Sequence, residues 1–358
     1  MTLDRRDIEF LRFSAMYRQV PLGLIGKLGF SGIKDEIELL SALGLVKCSR
    51  DGRYMRLSVP GFEMLRKHGY DFGLGSDKPY TNASALRRRL DVASAALTAL
   101  RAGIDTLPDN IDALSKQPSF FPAFALRGGE GNLMNAASCI GFGHWGGKGY
   151  MLQYVSHESA GMYLANELGH FHNLAPLFSA GLNTPLAMVF AGESYMGIHK
   201  QLSLTVPSKR HGKHGFSDYW DVYRKSGMPV HLLSCDETGA MQLALMRQPD
   251  YIAKIAKTAL GSDWVPRDEQ IPGADGHVRG NPLVIAADMD ARRVLRVCES
   301  ARRIGRSEVL VAALGGQIDG LYKHILPRGG FVKLLCIGQP VIEDAFGKGF
   351  SLYSMEGA

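Results

Sequence analysis

The sequence predicts an α/β chain (α+β overall). A small N-terminal unit over residues 1–72 is joined through a linker and connecting helix, 73–119, to an α/β domain over 120–358. Three observations carry this expectation. The first 72 residues hold three short apolar-periodic stretches and then two β-rich runs around an Arg-Asp-Gly turn. A Gly/Ser/Asn/Pro-rich stretch and one alanine-rich helix follow. From about residue 120, strand-like apolar runs alternate with helical ones, the grammar of an α/β sheet covered by helices. With 358 residues, 46% of them hydrophobic, the chain is long enough to bury two cores.

Each N-terminal element has a local reason. In "DRRDIEFLRFSAMY" (4–17), Ile8, Leu11, Phe13 and Ala15 or Met16 recur at roughly helical spacing behind an acidic start that suits a helix N-terminus. "VPLGLIGKLGF" reads as a short second helix with Pro21 in its first turn. Ser31 is placed to cap a third helix, whose Ile33, Ile37, Leu40 and Leu43 share a face and which Gly44 ends. "LVKCS" and "RYMRLSV" are strands joined by Arg50-Asp51-Gly52, and Pro60-Gly61 stops the second before the helix "FEMLRKHG". Three helices and a two-stranded ribbon make a winged helix-turn-helix, in which the third helix ordinarily enters the major groove.

Charge gives that unit a candidate partner. Residues 1–103 hold 17 Lys and Arg against 11 Asp and Glu, whereas 104–358 hold 24 against 24, so the whole net charge of +6 lies at the front. A local basic surplus is the footprint of a polyanion, most often nucleic acid. Arg50, Arg53 and Arg56 stand on the ribbon, where a wing meets phosphates. Helix three carries Asp35, Glu36 and Glu38 against Lys34, which leaves two readings open. In one, the wing leads a DNA contact; in the other, the unit docks a protein.

After the linker "GLGSDKPYTNAS", the helix "ALRRRLDVASAALTALRAGID" ends at Gly103 and carries Arg87, Arg88 and Arg89 in its first turn. That is the wrong end for the helix dipole, which suggests a phosphate contact or a solvated charge run. Beyond it, "YMLQYV", "PLAMVFAG", "PVHLLSC", "PLVIAADMD", "SEVLVAAL" and "GFVKLLCIG" read as strands of a parallel or mixed sheet. All but the last precede helical segments. "VPSKRHGKHGFSDYWDVYRKSG" is a basic-aromatic insertion with Lys209, Arg210 and Lys213.

Several tempting motifs are discounted. "GFGHWG" satisfies G-x-G-x-x-G, but a strand follows it where a dinucleotide site needs a helix, so a hairpin turn with Trp145 packed is expected. In "HESAGMYLANELGHFH", Glu167 and His170 could share a helix turn near His157, Glu158 and His172, yet no H-E-x-x-H occurs and no separate ligand cluster completes a metal site. No G-x-S-x-G elbow is present. The five cysteines (Cys48, Cys139, Cys235, Cys298, Cys336) form no C-x-x-C pair and read as buried thiols in a reducing compartment. With charge from the fourth residue and no apolar run of ~18 residues, neither signal peptide nor membrane span is expected, and the cytoplasm is the expected location.

The N-terminal stretch "DRRDIEFLRF…GIKDEIELLSALGLVKCSRDGRYMRLSVPGFEMLRKHG" with the following "LRRRLDVASAALTALRAGI" resembles the replication-relaxation family of plasmid and integrative-element proteins. That resemblance implies a DNA-binding accessory protein of a mobile genetic element, acting in relaxosome assembly or plasmid-type replication and transfer. Its expected partners are double-stranded DNA, a relaxase or other element-encoded protein, and a second copy of itself. The residues expected at the DNA are Lys27, Ser31, Lys34, Arg50, Arg53, Arg56, Arg87, Arg88 and Arg89. The resemblance also implies a restriction-endonuclease-like α/β domain, to which "PGADGHVRGNPLVIAADMDARRVLRVCESARR" is similar, with Asp275 at the first acidic position and Asp288 and Asp290 at the second. Ala274 precedes Asp275 where the pattern has proline, and no lysine follows Asp288 at the usual offset. The implied domain is therefore nuclease-like without cleavage, with no cofactor expected. Two alternatives stand beside it. One is a metal-dependent nuclease using Asp275, Asp288 and Asp290 with Mg²⁺. The other is a winged-helix transcription regulator with a sensing domain.

Overall fold

The computed structural model describes residues 3–30, 32–72, 82–107, 118–126, 139–155, 186–204, 206–207, 216–217, 220, 228–267, 270–327, 329–348 and 350–352. The chain is mixed α/β, and its described residues place helices around one three-stranded and two five-stranded sheets and a small ladder of Val206–Pro207 (β8) with Phe216–Ser217 (β9).

At the front, helix α1 (Arg5–Tyr17) opens with a reciprocal cap: the Asp4 side chain accepts from the Asp7 N–H, and the Asp7 side chain accepts from the Asp4 N–H. Strand β1 (Val20–Pro21), helices α2 (Leu22–Lys27) and α3 (Ile33–Ala42), and strands β2 (Val46–Cys48) and β3 (Tyr54–Leu57) follow, in sheet order β1-β3-β2, all antiparallel. The expected second helix thus begins with a strand residue pair that adds an edge to the ribbon, because the Pro21 φ of −72° suits extended backbone as well as a helix start. Gly52 takes φ +67° in the hairpin turn, a conformation that favours glycine. Helix α4 (Val59–Lys67) is capped by Ser58, whose hydroxyl accepts from the Gly61 N–H and donates to the Leu45 carbonyl.

Helix α5 (Ala83–Arg101) joins this unit to the first large sheet, since one apolar cluster runs from Leu11, Phe13 and Tyr17 through Ala95, Ala96 and Leu97 to Trp145 and Tyr150. Buried Arg101 fastens the junction. It donates from Nε to the Leu28 carbonyl (2.8 Å), from Nη2 to Gly29 (3.1 Å) and from Nη1 to Leu352 (3.4 Å). Arg101→Ala is expected to cost roughly 1.5–3 kcal/mol, the range for a hydrogen bond to a charged group, read as a lower urea midpoint.

The first large sheet has the order β4-β5-β6-β7-β10: Ser119–Pro122, Cys139–Trp145, Lys148–Tyr154, Leu186–Gly192 and Val230–Ser234. The second is β11-β12-β13-β14-β15: Trp264–Val265, Gly276–Val278, Asn281–Ile285, Val309–Leu314 and Val332–Ile337. Both follow one plan, in which an antiparallel three-stranded meander leads into two parallel strands. The "GFGHWG" segment is a hairpin turn, as expected: β5 and β6 pair across Gly146–Gly147, and Trp145 stacks on Tyr150 at 4.2 Å. A Cβ on Gly146, at φ +56°, would stand 2.2 Å from the Met246 carbonyl oxygen. The sheets meet at β10, where the Leu232 N–H donates to the Met289 carbonyl.

Two details differ from the sequence reading. Cys48 and Cys336 are exposed, and only Cys139, Cys235 and Cys298 are buried. Helix α5 begins at Ala83, which puts Arg87–Arg89 in its second turn, because Asn82 rather than a later residue supplies the cap. Among the described residues, no helix is long and apolar enough to cross a membrane.

Candidate functional site

The basic ribbon takes its form from alternation. Met55 and Leu57 point into the core, so Arg56 faces the other way and pairs in register with Lys47, which is exposed. Arg50 and Arg53 occupy the exposed turn. Arg53 is not a lone cation: its Nε lies 2.5 Å from an Asp51 carboxylate oxygen, and its side chain is 75% exposed. The Ser49 hydroxyl and then Arg53 hold Asp51 down at about 2. The turn is therefore one prepaired arginine and one exposed arginine, backed by Lys47 and Arg56.

Helix α3 offers a different surface. Glu36 is buried with Ile33, Ile37 and Leu40, leaving Lys34, Asp35 and Glu38 in solvent beside the exposed Leu39 and Leu43. Lys27 is exposed in the last turn of α2. Ser31 lies outside the described residues, and the residue flanking α3 is Gly32 at φ +68°. Residues 157, 158, 167, 170 and 172, like 209, 210 and 213, also lie outside them.

On α5, Arg87 is exposed, while Arg88 and Arg89 are half-buried and held: Arg88 Nη2 donates to the Cys139 carbonyl at 3.3 Å, and the Arg89 guanidinium lies 3.8 Å from the Phe124 ring centroid.

The acids of the second sheet divide. Asp275 leads into β12 and Asp288 follows β13, so the strand pairing brings them to one place; between them stands Arg293 from helix α9 (Ala291–Arg303, numbered among the described helices after Tyr195–Leu202 as α6, Glu237–Met246 as α7 and Tyr251–Leu260 as α8). Arg293 Nη1 donates to both Asp275 oxygens at 2.9 and 2.8 Å, and Nη2 reaches Asp288 at 3.3 Å and the Ile285 carbonyl at 2.8 Å. The Ile285 N–H donates to Asp275 at 2.7 Å. Asp290 is not a member: its side chain accepts from the Arg293 N–H and caps α9.

Burial pushes the Asp275 carboxyl up against the pull of Arg293. Burial acts on Asp288 in the same sense, but Arg293 and then His231 outweigh it and keep that carboxyl below its ordinary range. Burial likewise opposes the charge on Arg293, and Asp288 and Asp275 overcome it, so the guanidinium stays firmly charged. His231 on β10 holds the Asp288 carbonyl through Nδ1 at 2.8 Å; since a carbonyl only accepts, Nδ1 carries the proton. Gln242 donates to the same carbonyl at 3.1 Å and to Leu232 at 2.9 Å, and Gln317 donates to Ala287 at 2.8 Å.

Sequence reasoning paired Asp275 with Asp288 but missed Arg293, His231, Gln242 and Gln317. One signal for Arg293 was present. It stands four residues before Val297 and eight before Ala301, on the apolar stripe of α9, where an arginine needs a buried partner. Comparison with protein-family models, curated proteins and solved structures finds no match in any of the three.

Proposed function

We propose that the chain is a DNA-binding accessory protein whose N-terminal unit is a winged helix that binds duplex DNA chiefly through its wing. The observation that carries the reading is the β1-β3-β2 sheet behind α1, α2 and α3, which presents Arg50, Arg53, Lys47 and Arg56 outward on the hairpin, while residues 104–358 are neutral overall. Helix α3, with Asp35, Glu38, Leu39 and Leu43 in solvent, is a poor match for phosphates, so the wing supplies the electrostatic contact. The role in a mobile element, in relaxosome assembly or replication, rests on the resemblance to the replication-relaxation family. In this reading the α/β domain is a restriction-endonuclease-like scaffold that recruits partners. The Arg293 guanidinium between Asp275 and Asp288 favours a scaffold over a metal-dependent nuclease, because it already supplies the positive charge those carboxylates need.

A salt series of duplex binding by fluorescence anisotropy tests this, comparing wild type with Arg50→Ala/Arg53→Ala/Arg56→Ala. The variant is expected to bind at least tenfold more weakly at physiological salt, with the slope of log K against log salt smaller by about 2–3. A folded wild type that binds no duplex even at about 50 mM salt would remove the DNA reading and leave protein docking.

A further inference from the structure

An edge strand turns a row of N–H and C=O groups away from its sheet, a template for pairing with another strand. Among the described residues, the edges of this fold are short or closed, with one exception. Strands β1, β8, β9 and β11 have two residues each, and β2 has three. The edge of β4 is bridged by Asp105, whose carbonyl accepts from the Phe120 N–H at 2.7 Å. At the edge of β10 the Leu232 N–H donates to the Met289 carbonyl at 3.2 Å. Strand β15 is different. It is the outer strand of the second sheet, six residues long, without proline, and no described strand lies beyond it.

The ladder decides which of its groups face outward. The Phe331 carbonyl accepts from the Val309 N–H of β14 at 2.8 Å. A strand residue sends its N–H and C=O to one side and its neighbours send theirs to the other, so Lys333, Leu335 and Ile337 also bond to β14. Val332, Leu334 and Cys336 therefore turn theirs outward, and among the described residues none of these groups bonds elsewhere. Cys336 is exposed, and Val332 and Leu334 are half-buried, so the edge is not sealed beneath the helices.

We propose that β15 is the docking edge for a second copy of this chain, the two strands pairing antiparallel about a two-fold axis at Leu334. In that register Leu334 faces Leu334 of the second copy and Val332 faces its Cys336, so every outward N–H and C=O of the strand gains a partner. A register centred on Lys333 or on Leu335 leaves one outward residue of the strand without a strand partner. The first of these also sets two lysines directly opposite, which is unfavourable. Centred on Leu334, the strand's one charge meets Leu335 instead. Gly330 and Gly338, on either side of the strand, then fall opposite each other, where two backbones approach with no side chain between them. A strand of unrelated sequence would fill the same backbone groups; this match of charge and of glycine at both ends favours an identical one. The two copies would share one sheet of ten strands, five from each. The pairing does not rest on the DNA reading.

Sedimentation of the full chain over about a hundredfold range of concentration tests the pairing, since a dimer forms by mass action. The wild type is expected to be a concentration-dependent dimer. Leu334→Lys, which sets two like charges at the axis, should raise its dissociation constant about tenfold or more. A second variant does not rely on tolerance of that lysine. Val332→Cys, made with Cys48→Ser so that Cys336 is the other exposed thiol, should form an intermolecular disulfide with Cys336 on treatment with diamide. Directly paired residues of this kind stand about 5.5 Å apart at Cα, within reach of a disulfide. Lys333→Cys in the same background places its thiol on the opposite face of the sheet and should not cross-link. A wild type monomeric at every concentration overturns the second copy and leaves the edge to an extended segment of another protein. A dimer that Leu334→Lys leaves intact, or that gives no cross-link through Val332→Cys, has its interface elsewhere and overturns the edge. Cross-linking through Lys333→Cys as readily as through Val332→Cys overturns the register.

Discussion

Arg293→Ala is expected to destabilise the chain by about 3–5 kcal/mol, the cost of removing one partner from a buried ion pair. The side chains of Arg293, Asp275 and Asp288 are 15%, 12% and 11% exposed, so solvent does little to screen the two carboxylates left behind. The variant also loses the bond to the Ile285 carbonyl that ties α9 to the end of β13. The sign of the pH dependence separates this account from a simple cavity effect. Without the guanidinium, burial pushes both carboxyls up with its main opponent gone, although His231 still acts on Asp288 and the Ile285 N–H on Asp275, and a carboxyl whose folded value is raised stabilises the fold only while it is protonated. The deficit should therefore shrink as pH falls from 8 to 5, measured by urea unfolding at both values. A deficit of equal size at both values would mean that lost packing, not unpaired charge, carries the effect. Replacing the three together, Asp275→Val/Asp288→Leu/Arg293→Met, should cost less than Arg293→Ala, since apolar groups of similar volume leave no charge uncompensated.

Much of the fold was legible because its signals are local. The α1 cap at Asp4, the stop at Gly44 and the Arg50-Asp51-Gly52 turn each depend on a residue and its near neighbours. So does the alternation of β7, β10, β13 and β14 with helices. What the sequence withheld depends on pairing at long range. Nothing in "PLAMVFAG" or "SEVLVAAL" states that each belongs to a separate sheet, or that the two sheets share one strand order, because buried parallel strands are apolar on both faces and carry no register. The candidate site shows the same split. The wing arginines were visible as charges on a ribbon, whereas the Asp51 partner of Arg53 follows from the turn geometry. Asp290 and Asp288 stand two residues apart, yet one caps a helix and the other faces a buried guanidinium, a difference set by the positive φ of 56° at Met289 between them.

Asp91→Asn is expected to stabilise the chain at pH 8 by up to about 4 kcal/mol and to leave it nearly unchanged near pH 4. Asp91 lies on α5 one turn beyond Arg87. Burial raises its carboxyl to about 7, and Glu193 adds to the rise, with Arg87 and Arg88 opposing. The folded chain therefore holds a proton there that the unfolded chain releases near pH 4, and the folded state binds more protons throughout the interval. Stability must fall as pH rises from about 4 to about 7 and level off above, the reverse of the behaviour of Asp288, whose lowered value matters only at more acid pH. Asp275 is also raised by burial and tilts the wild-type profile the same way, so the wild-type slope alone does not isolate Asp91. The difference between wild type and Asp91→Asn does. Urea unfolding at half-unit steps from pH 4.5 to 8 should show the two curves diverging with rising pH, with most of the divergence complete by about pH 7.5. Parallel curves would mean that Asp91 is ionised and compensated by Arg87 and Arg88 at every pH.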